Sequence, residues 1–301
     1  MSSVRFLQWF VACVFSTIML SACGGCDEPQ LGYYKINTFD VTDSVGYQVG
    51  KGVAYAKVTI DDPSGLSELC KKNYAMWVST VLEIDPTNDK EAIKSLATAY
   101  AQKEALRNQA IFLEKKDELA RNLVREIYTR VSIHKLYEDK EFITFMKDAT
   151  SFKGDMTVSH SSVGYTFQKS DFSLAELIEP EDVKDYREQI TREFQRTLVK
   201  KPEQLLDYLF IEEDCKKEGL VPLPANGAFL EDDSLVFIYQ EYEIAPYKAG
   251  MPRVKLPFKH VNILQRNNDS VRISRDSIQK KEKSSEKPSK SDATPSKSAK
   301  K

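Results

Sequence analysis

Histidine is nearly absent from this chain of 301 residues: His134, His160 and His260 are the whole supply. None of them stands in a metal-binding spacing such as H-E-x-x-H, which excludes a zinc hydrolase built on that motif. No glycine-rich phosphate loop follows a strand-like run, and no G-x-S-x-G elbow occurs. Adjacent carboxylates are common, as at Glu212-Glu213 and Asp232-Asp233. Neighbours on a strand point to opposite faces, and the second pair reads as a turn, so neither is a working acid–base pair. The expectation is therefore a non-enzyme, with no catalytic residue, cofactor or metal ligand to assign.

Cysteine is scarce as well, with five in all. Cys13 lies in the apolar N-terminal run, and Cys23 ends it. Cys26, Cys70 and Cys215 remain, an odd number. Two readings stand for Cys70. It joins Cys215 in a disulfide, which an oxidising compartment permits, or it fills the core from the apolar face of a helix.

Long hydrophobic runs are missing except at the N-terminus. "MSSVRFLQWFVACVFSTIMLSAC" carries one positive charge, Arg5, then an apolar stretch from Phe6 to Leu20, then small residues. That order is a secretory signal, too short to be a stable membrane span. Its last four residues, Leu20-Ser21-Ala22-Cys23, resemble the lipobox of bacterial lipoproteins. The resemblance implies cleavage after residue 22, acylation of Cys23 by fatty acids such as palmitate, and durable anchoring to a membrane. Gly24 follows, where many lipoproteins kept in the inner membrane have Asp, so the outer membrane is the expected address.

The formal net charge of −2 hides an asymmetry. Residues 265–301 carry +6 and residues 23–264 carry −9. An acidic body is a poor match for nucleic acid, where neutralising phosphate dominates affinity. The basic tail is Ser, Lys and Pro with few apolar residues, a composition that does not fold.

The middle of the chain reads as an α+β body over residues 33–264, behind a tether at 23–32. "YYKINTFDV" and "GVAYAKVTIDD" alternate as strands. Asp62 and Pro63 suit a helix start, followed by Leu66, Leu69, Cys70, Met76 and Trp77 at helical spacing. Asn88 and Glu91 stand as a capping box for a helical segment over about 85–130, with Ile93, Leu96, Tyr100, Leu119, Leu123 and Ile127 as its apolar set. A bend near Asn108 would make it two helices. The segment lies across the sheet or projects as a partner surface. "YTRVSIHKLYEDKEFITFMKDATSF" is a hairpin turning at Glu138-Asp139-Lys140. A second amphipathic helix runs from Pro180 to about Lys200, with Val183, Tyr186, Ile190, Phe194 and Leu198 on one face. The expected architecture is an antiparallel sheet with helices packed on one face.

Near the end, "LVFIYQEYEIAPYKAGMPRVKLPF" reads as a strand buried on both faces at Leu235–Tyr239, a reversal, and an edge strand demoted by Pro257. Tyr242 and Ile244 are expected to turn inward and Tyr247 to plug the corner. This segment resembles the C-terminal signature of the RsiV-type extracytoplasmic domain family. Tyr242-Glu243-Ile244-Ala245-Pro246-Tyr247 matches residue by residue, with Asp232-Asp233-Ser234-Leu235 and Leu256-Pro257-Phe258 on either side. "FQKSDFSLAELI" before the second helix agrees with the family order. The resemblance implies a binding module outside the cytosol, recognising a protein such as lysozyme or a cell-wall glycan. A peptidoglycan-modifying enzyme is the alternative. One departure stands out: where members carry a "YTGGAHG" loop, this chain has "SFKGDMTVSHSS", keeping Gly154 and His160. The sheet edge, the loop at 152–164 and the long helical segment are the candidate contact surfaces.

Overall fold

The computed structural model describes residues 33–46, 52–85, 93–155, 157–232 and 234–257. The expected signal sequence with Cys23, the expected tether and capping box at Asn88 and Glu91, Asp233, Phe258, His260 and the basic tail lie outside the described residues.

The fold is α+β, built on two sheets. Strands β1 (Lys35–Gly46) and β2 (Val53–Ser64) form an antiparallel pair, with Lys35 opposite Ser64 and Gly46 opposite Val53. Burial alternates along β2, so Ala54, Ala56, Val58 and Ile60 enter the core while Tyr55, Lys57 and Thr59 face away. Helices α1 (Glu68–Val81), α2 (Ile93–Glu114) and α3 (Lys116–Arg121) follow. The chain then enters β3 (Glu126–Glu138), which lies parallel to β2. Strands β4 (Phe142–Phe152) and β5 (Ser159–Gln168) add antiparallel neighbours, giving the order β1-β2-β3-β4-β5.

The parallel pair corrects the expected all-antiparallel sheet and explains the long helical segment. Parallel neighbours need a crossover that returns the chain to the starting end. A strand of 12 residues spans about 40 Å and a helix of 22 residues about 33 Å, so α2 has the length for that return. It lies along β1 and β2 and does not project.

Other local expectations shift for physical reasons. Asp62 and Pro63 stay in β2, opposite Asn37 and Ile36, beyond the point where β3 pairs with it. The α1 cap is Ser67, whose hydroxyl accepts from the Cys70 N–H at 3.2 Å. No bend occurs at Asn108; α2 is continuous to Glu114. Ile127 belongs to β3, because the alternating Ile127, Thr129, Val131 and Ile133 outweigh a helical spacing from Leu119 and Leu123. Leu123 is exposed at positive φ.

One core joins the helices to the inner face of this sheet: Tyr74 and Trp77 of α1 pack on Phe145, Phe167 and Phe172. The second sheet is β6 (Ala228–Glu231), β7 (Ser234–Ile238) and β8 (Arg253–Pro257), all antiparallel. Pro257 sits on edge strand β8, as expected. Helix α4 (Val183–Thr197) lays Tyr186, Ile190 and Phe194 against Phe237, Tyr239, Val254 and Leu256. Each such aromatic or aliphatic side chain contributes about 1.5–3 kcal/mol by leaving water. Short helices α5 (Leu205–Tyr208) and α6 (Glu213–Glu218) complete this lobe.

Strand β7 is buried on both faces because two cores meet there. Leu235 and Phe237 join α4, while Val236 and Ile238 join Phe229 and Met146 against the outer face of the five-stranded sheet. Gly164 makes that docking possible: a Cβ there would stand 2.1 Å from the Phe229 ring. The Leu230 N–H donates to Thr166 Oγ1 at 3.0 Å across the same seam. Past Tyr239, Gln240 closes the edge of β5, accepting from Ser162 N–H at 3.0 Å and donating to Ser162 O at 2.8 Å. Glu241 accepts from His160 N–H at 3.1 Å.

Ile244 turns inward as expected, but Tyr242 and Tyr247 do not. Tyr242 has φ of 61°, which swings its ring out, and the two rings stack on each other at 5.5 Å on the surface.

Candidate functional site

The second sheet covers only part of the outer face of the first. What it leaves bare is ordered by strand register into rows that run across β2, β3, β4 and β5. The first row is aromatic: Tyr55 is opposite Tyr128, and Tyr128 is opposite Phe152. The second holds Lys57, Arg130, Thr150 and His160, and the third Thr59, Ser132, Asp148 and Ser162. One row further, at His134, Met146 and Gly164, the second sheet begins to cover the face. From these rows Tyr55, Lys57, Thr59, Arg130, Ser132, Asp148 and Thr150 line a concavity of about 430 Å³.

The aromatic row is tightly organised. The Tyr55 and Tyr128 rings lie 5.5 Å apart at 23°, and Phe152 is 6.0 Å from Tyr128. Arg130 spreads over them, its Cζ 4.4 Å from the Tyr128 centroid and 5.5 Å from that of Tyr55. One guanidinium N–H donates to Tyr55 Oη, and that hydrogen bond holds the Arg130 pKa above its ordinary value. Beside it, Lys57 pairs with Asp40 at 3.0 Å. Asp148 is engaged twice, by the Ser162 hydroxyl and by His134 Nδ1 at 3.6 Å.

The Ser162–Asp148–His134 group contains the residue types of a nucleophile relay in the wrong order. The hydroxyl donates to the carboxylate, not to an imidazole, and also contacts Met146 Sδ in a buried position. His160 stands apart, 3.4 Å from Thr150 Oγ1. Among the described residues no cluster of His, Cys, Asp and Glu has the arrangement of a metal site.

The loop between β4 and β5 is pinned from below. Gly154 has φ of 85°, and a Cβ there would meet Leu119 of α3 at 2.2 Å. Lys115 reaches Asp155 at 2.7 Å. Lys153 turns inward to Thr129 at 2.8 Å and to Asn108, and burial lowers its pKa. Asn108 donates to Tyr55 O at 2.9 Å, and buried Glu104 pairs with Arg107 at 2.7 Å. A hollow of about 270 Å³ opens here between α2 and β5, lined by Glu104, Arg107, Lys153 and His160 among others. Its ionic groups already satisfy one another, which makes the network an anchor for loop and helix.

Cys70 and Cys215 are both free, where the sequence allowed a disulfide between them. Cys70 packs in the α1 core, 3.8 Å from Ser170 O. Cys215 lies on α6 beside Arg187, in the other lobe. Glu212 precedes α6 and Glu213 begins it, and Asp232 takes a left-handed turn position.

Arg130 and its aromatic row went unnoticed in the sequence. Tyr55 and Tyr128 become neighbours only through a parallel pairing that alternation in either strand cannot announce.

No curated protein sequence matches the chain. Among solved structures it is similar to a DUF3298 family member from Bacteroides fragilis, with a TM-score of 0.54 and 13% identity over 76% of this chain and 92% of that one. It is also similar to a DUF3298 family protein from Pseudomonas aeruginosa PAO1, with a TM-score of 0.48 and 11% identity over 76% and 93%. The first of these likenesses establishes a shared fold. Residues 175–259, which hold α4, the second sheet and the EIAPY reversal, match the family model of DUF3298, a protein of unknown function.

Proposed function

We propose that the chain is a lipid-anchored cell-envelope binding protein whose RsiV-like domain recognises cell-wall glycan on the uncovered part of its five-stranded sheet. The observation that carries this reading is the row Tyr55–Tyr128–Phe152 with Arg130 across it. Sugar rings present flat C–H faces that lie on aromatic rings, and hydroxyl groups that need nearby donors and acceptors. Thr59, Ser132 and Thr150 offer both beside the rings. Aromatic residues with Arg are also the side chains enriched where binding energy concentrates. Acylation at Cys23 would hold this surface at the membrane, the outer one given Gly24 in place of Asp, with the domain outside the cytosol.

Two other readings have an observation each. The acidic body, −9 over residues 23–264, suits steering of a basic protein such as lysozyme. A peptidoglycan-modifying enzyme would use the hollow of about 270 Å³ beside Glu104 and Lys153, although both side chains already have partners there. One set of incubations separates the three. Residues 27–266 are mixed with purified peptidoglycan sacculi or with lysozyme, sedimented or captured, and the soluble products weighed by mass spectrometry. Retention on sacculi, unchanged products, and loss of retention in Tyr128→Ala support the proposal. Retention on lysozyme alone, or release of trimmed glycan, would replace it. The anchor is tested separately by fatty-acid labelling of cells, where Cys23→Ser should abolish the label.

A further inference from the structure

We propose that Arg130 is the anchor of a carboxylate subsite, so that the sugar taken by this face is an acidic one, with a carboxylate beside its ring. The inference rests on reading the sheet face as a glycan platform and goes beyond it to the class of sugar.

Three observations converge on Arg130. First, its guanidinium is held by stacking on Tyr128 and Tyr55 and by the Tyr55 hydroxyl, which fixes its plane before any ligand arrives. A guanidinium has five N–H donors in a rigid fork, and the fork matches the two oxygens of a carboxylate. Second, among the described residues no carboxylate pairs with it. Of the acids around it, Asp40 is committed to Lys57 and Asp148 to Ser162 and His134, while exposed Glu126 acts on it only at longer range, without an ion pair. Third, Arg130 is exposed within the concavity, beside the aromatic row that would carry the ring. A ring seated on the aromatic row beside the guanidinium would therefore place a short acidic substituent within reach of the fork. A neutral sugar would stack equally well and leave those donors to water.

Fixing the cation in advance matters energetically. An unrestrained arginine loses rotamer freedom when it binds, whereas this one has already lost it in the folded protein.

The test uses two disaccharides with the same ring framework: N-acetylglucosaminyl-N-acetylmuramic acid, which bears a lactyl carboxylate, and neutral di-N-acetylchitobiose. Binding to residues 27–266 is measured by isothermal titration calorimetry at low and moderate salt. The acidic sugar should bind about 10-fold more tightly, the scale of a charge-assisted hydrogen bond. Arg130→Gln should bring the two affinities together, erasing the roughly 10-fold preference for the acidic sugar. Arg130→Lys should recover only part of the preference, because it restores charge without the planar fork. Circular dichroism melting of each variant guards against loss of fold. Equal affinity of the wild type for both sugars would overturn the carboxylate subsite and leave the glycan platform standing. Binding of neither sugar would overturn both.

Discussion

The two sheets handle their faces in opposite ways. In the second lobe β7 is covered on both sides, by α4 and by the first sheet, and every residue from Leu235 to Tyr239 is buried. In the five-stranded sheet β2 keeps a strict alternation, with its inner residues buried and Tyr55, Lys57 and Thr59 left outward. The first arrangement spends its side chains on packing. The second leaves a row of aromatic rings and a positioned cation facing solvent, where packing gives no reason for them. Under the proposed function, the difference corresponds to stability in one lobe and recognition on part of the other.

Mutations that break this comparison should separate the two properties. The largest effect belongs to the closed lobe. Phe194→Ala, which empties a site between α4 and Tyr239, should cost about 3–5 kcal/mol in urea unfolding. A loss below about 1 kcal/mol would mean that α4 is not fixed on the second sheet.

Next comes the seam between the sheets. Gly164→Val should cost about 1–3 kcal/mol, because the Phe229 ring occupies the space a side chain needs. An unchanged melting temperature would show that the second sheet does not dock where it is described.

Tyr74 and Tyr239 supply a matched pair, one in each lobe. Each is buried and donates its hydroxyl to a backbone carbonyl, of Asp61 and of Pro222 respectively. Burial is the first cause in both cases of a pKa raised above the ordinary tyrosine value. A raised folded pKa means that the folded state keeps a proton the unfolded state releases. The stability is therefore intact below about pH 10 and is lost as pH rises above it. Lys147 and Lys153, whose pKa values burial lowers, act in the opposite sense, so the comparison must be made against a single variant. Unfolding free energy measured from about pH 9 to pH 11 should fall less steeply in Tyr239→Phe than in wild type. Identical slopes would remove Tyr239 from the alkaline response.

The smallest stability effect is expected on the open face. Tyr128→Ala should change unfolding free energy by about 1 kcal/mol or less, while sharply reducing glycan retention. A large stability loss with retention unchanged would make the aromatic row structural.

Legibility in the sequence follows the same division. The second lobe declares itself locally: Tyr186, Ile190 and Phe194 recur at helical spacing, and Pro246, Gly250 and Pro257 mark the reversal and the edge. The hairpin at Glu138–Lys140 was equally plain. The first lobe depends on pairings distant in sequence. Nothing in β2 or β3 alone states that they run parallel, so neither the crossover role of α2 nor the meeting of Tyr55 with Tyr128 could be read. Tyr242 failed for a different reason, because a positive φ overrode the inward tendency of an aromatic ring. Cys70 and Cys215 were compatible with a bridge by compartment, and both are free.

The central claim is that the bare rows of the five-stranded sheet form the contact surface. The most direct measurement is a backbone and side-chain NMR map of residues 27–266 titrated with soluble peptidoglycan fragments. Shifts centred on Tyr55, Tyr128, Arg130 and Thr150, with the second lobe quiet, are the predicted result. Shifts centred instead on the hollow at Glu104 and Lys153, or on the exposed Tyr242–Tyr247 stack, would contradict it.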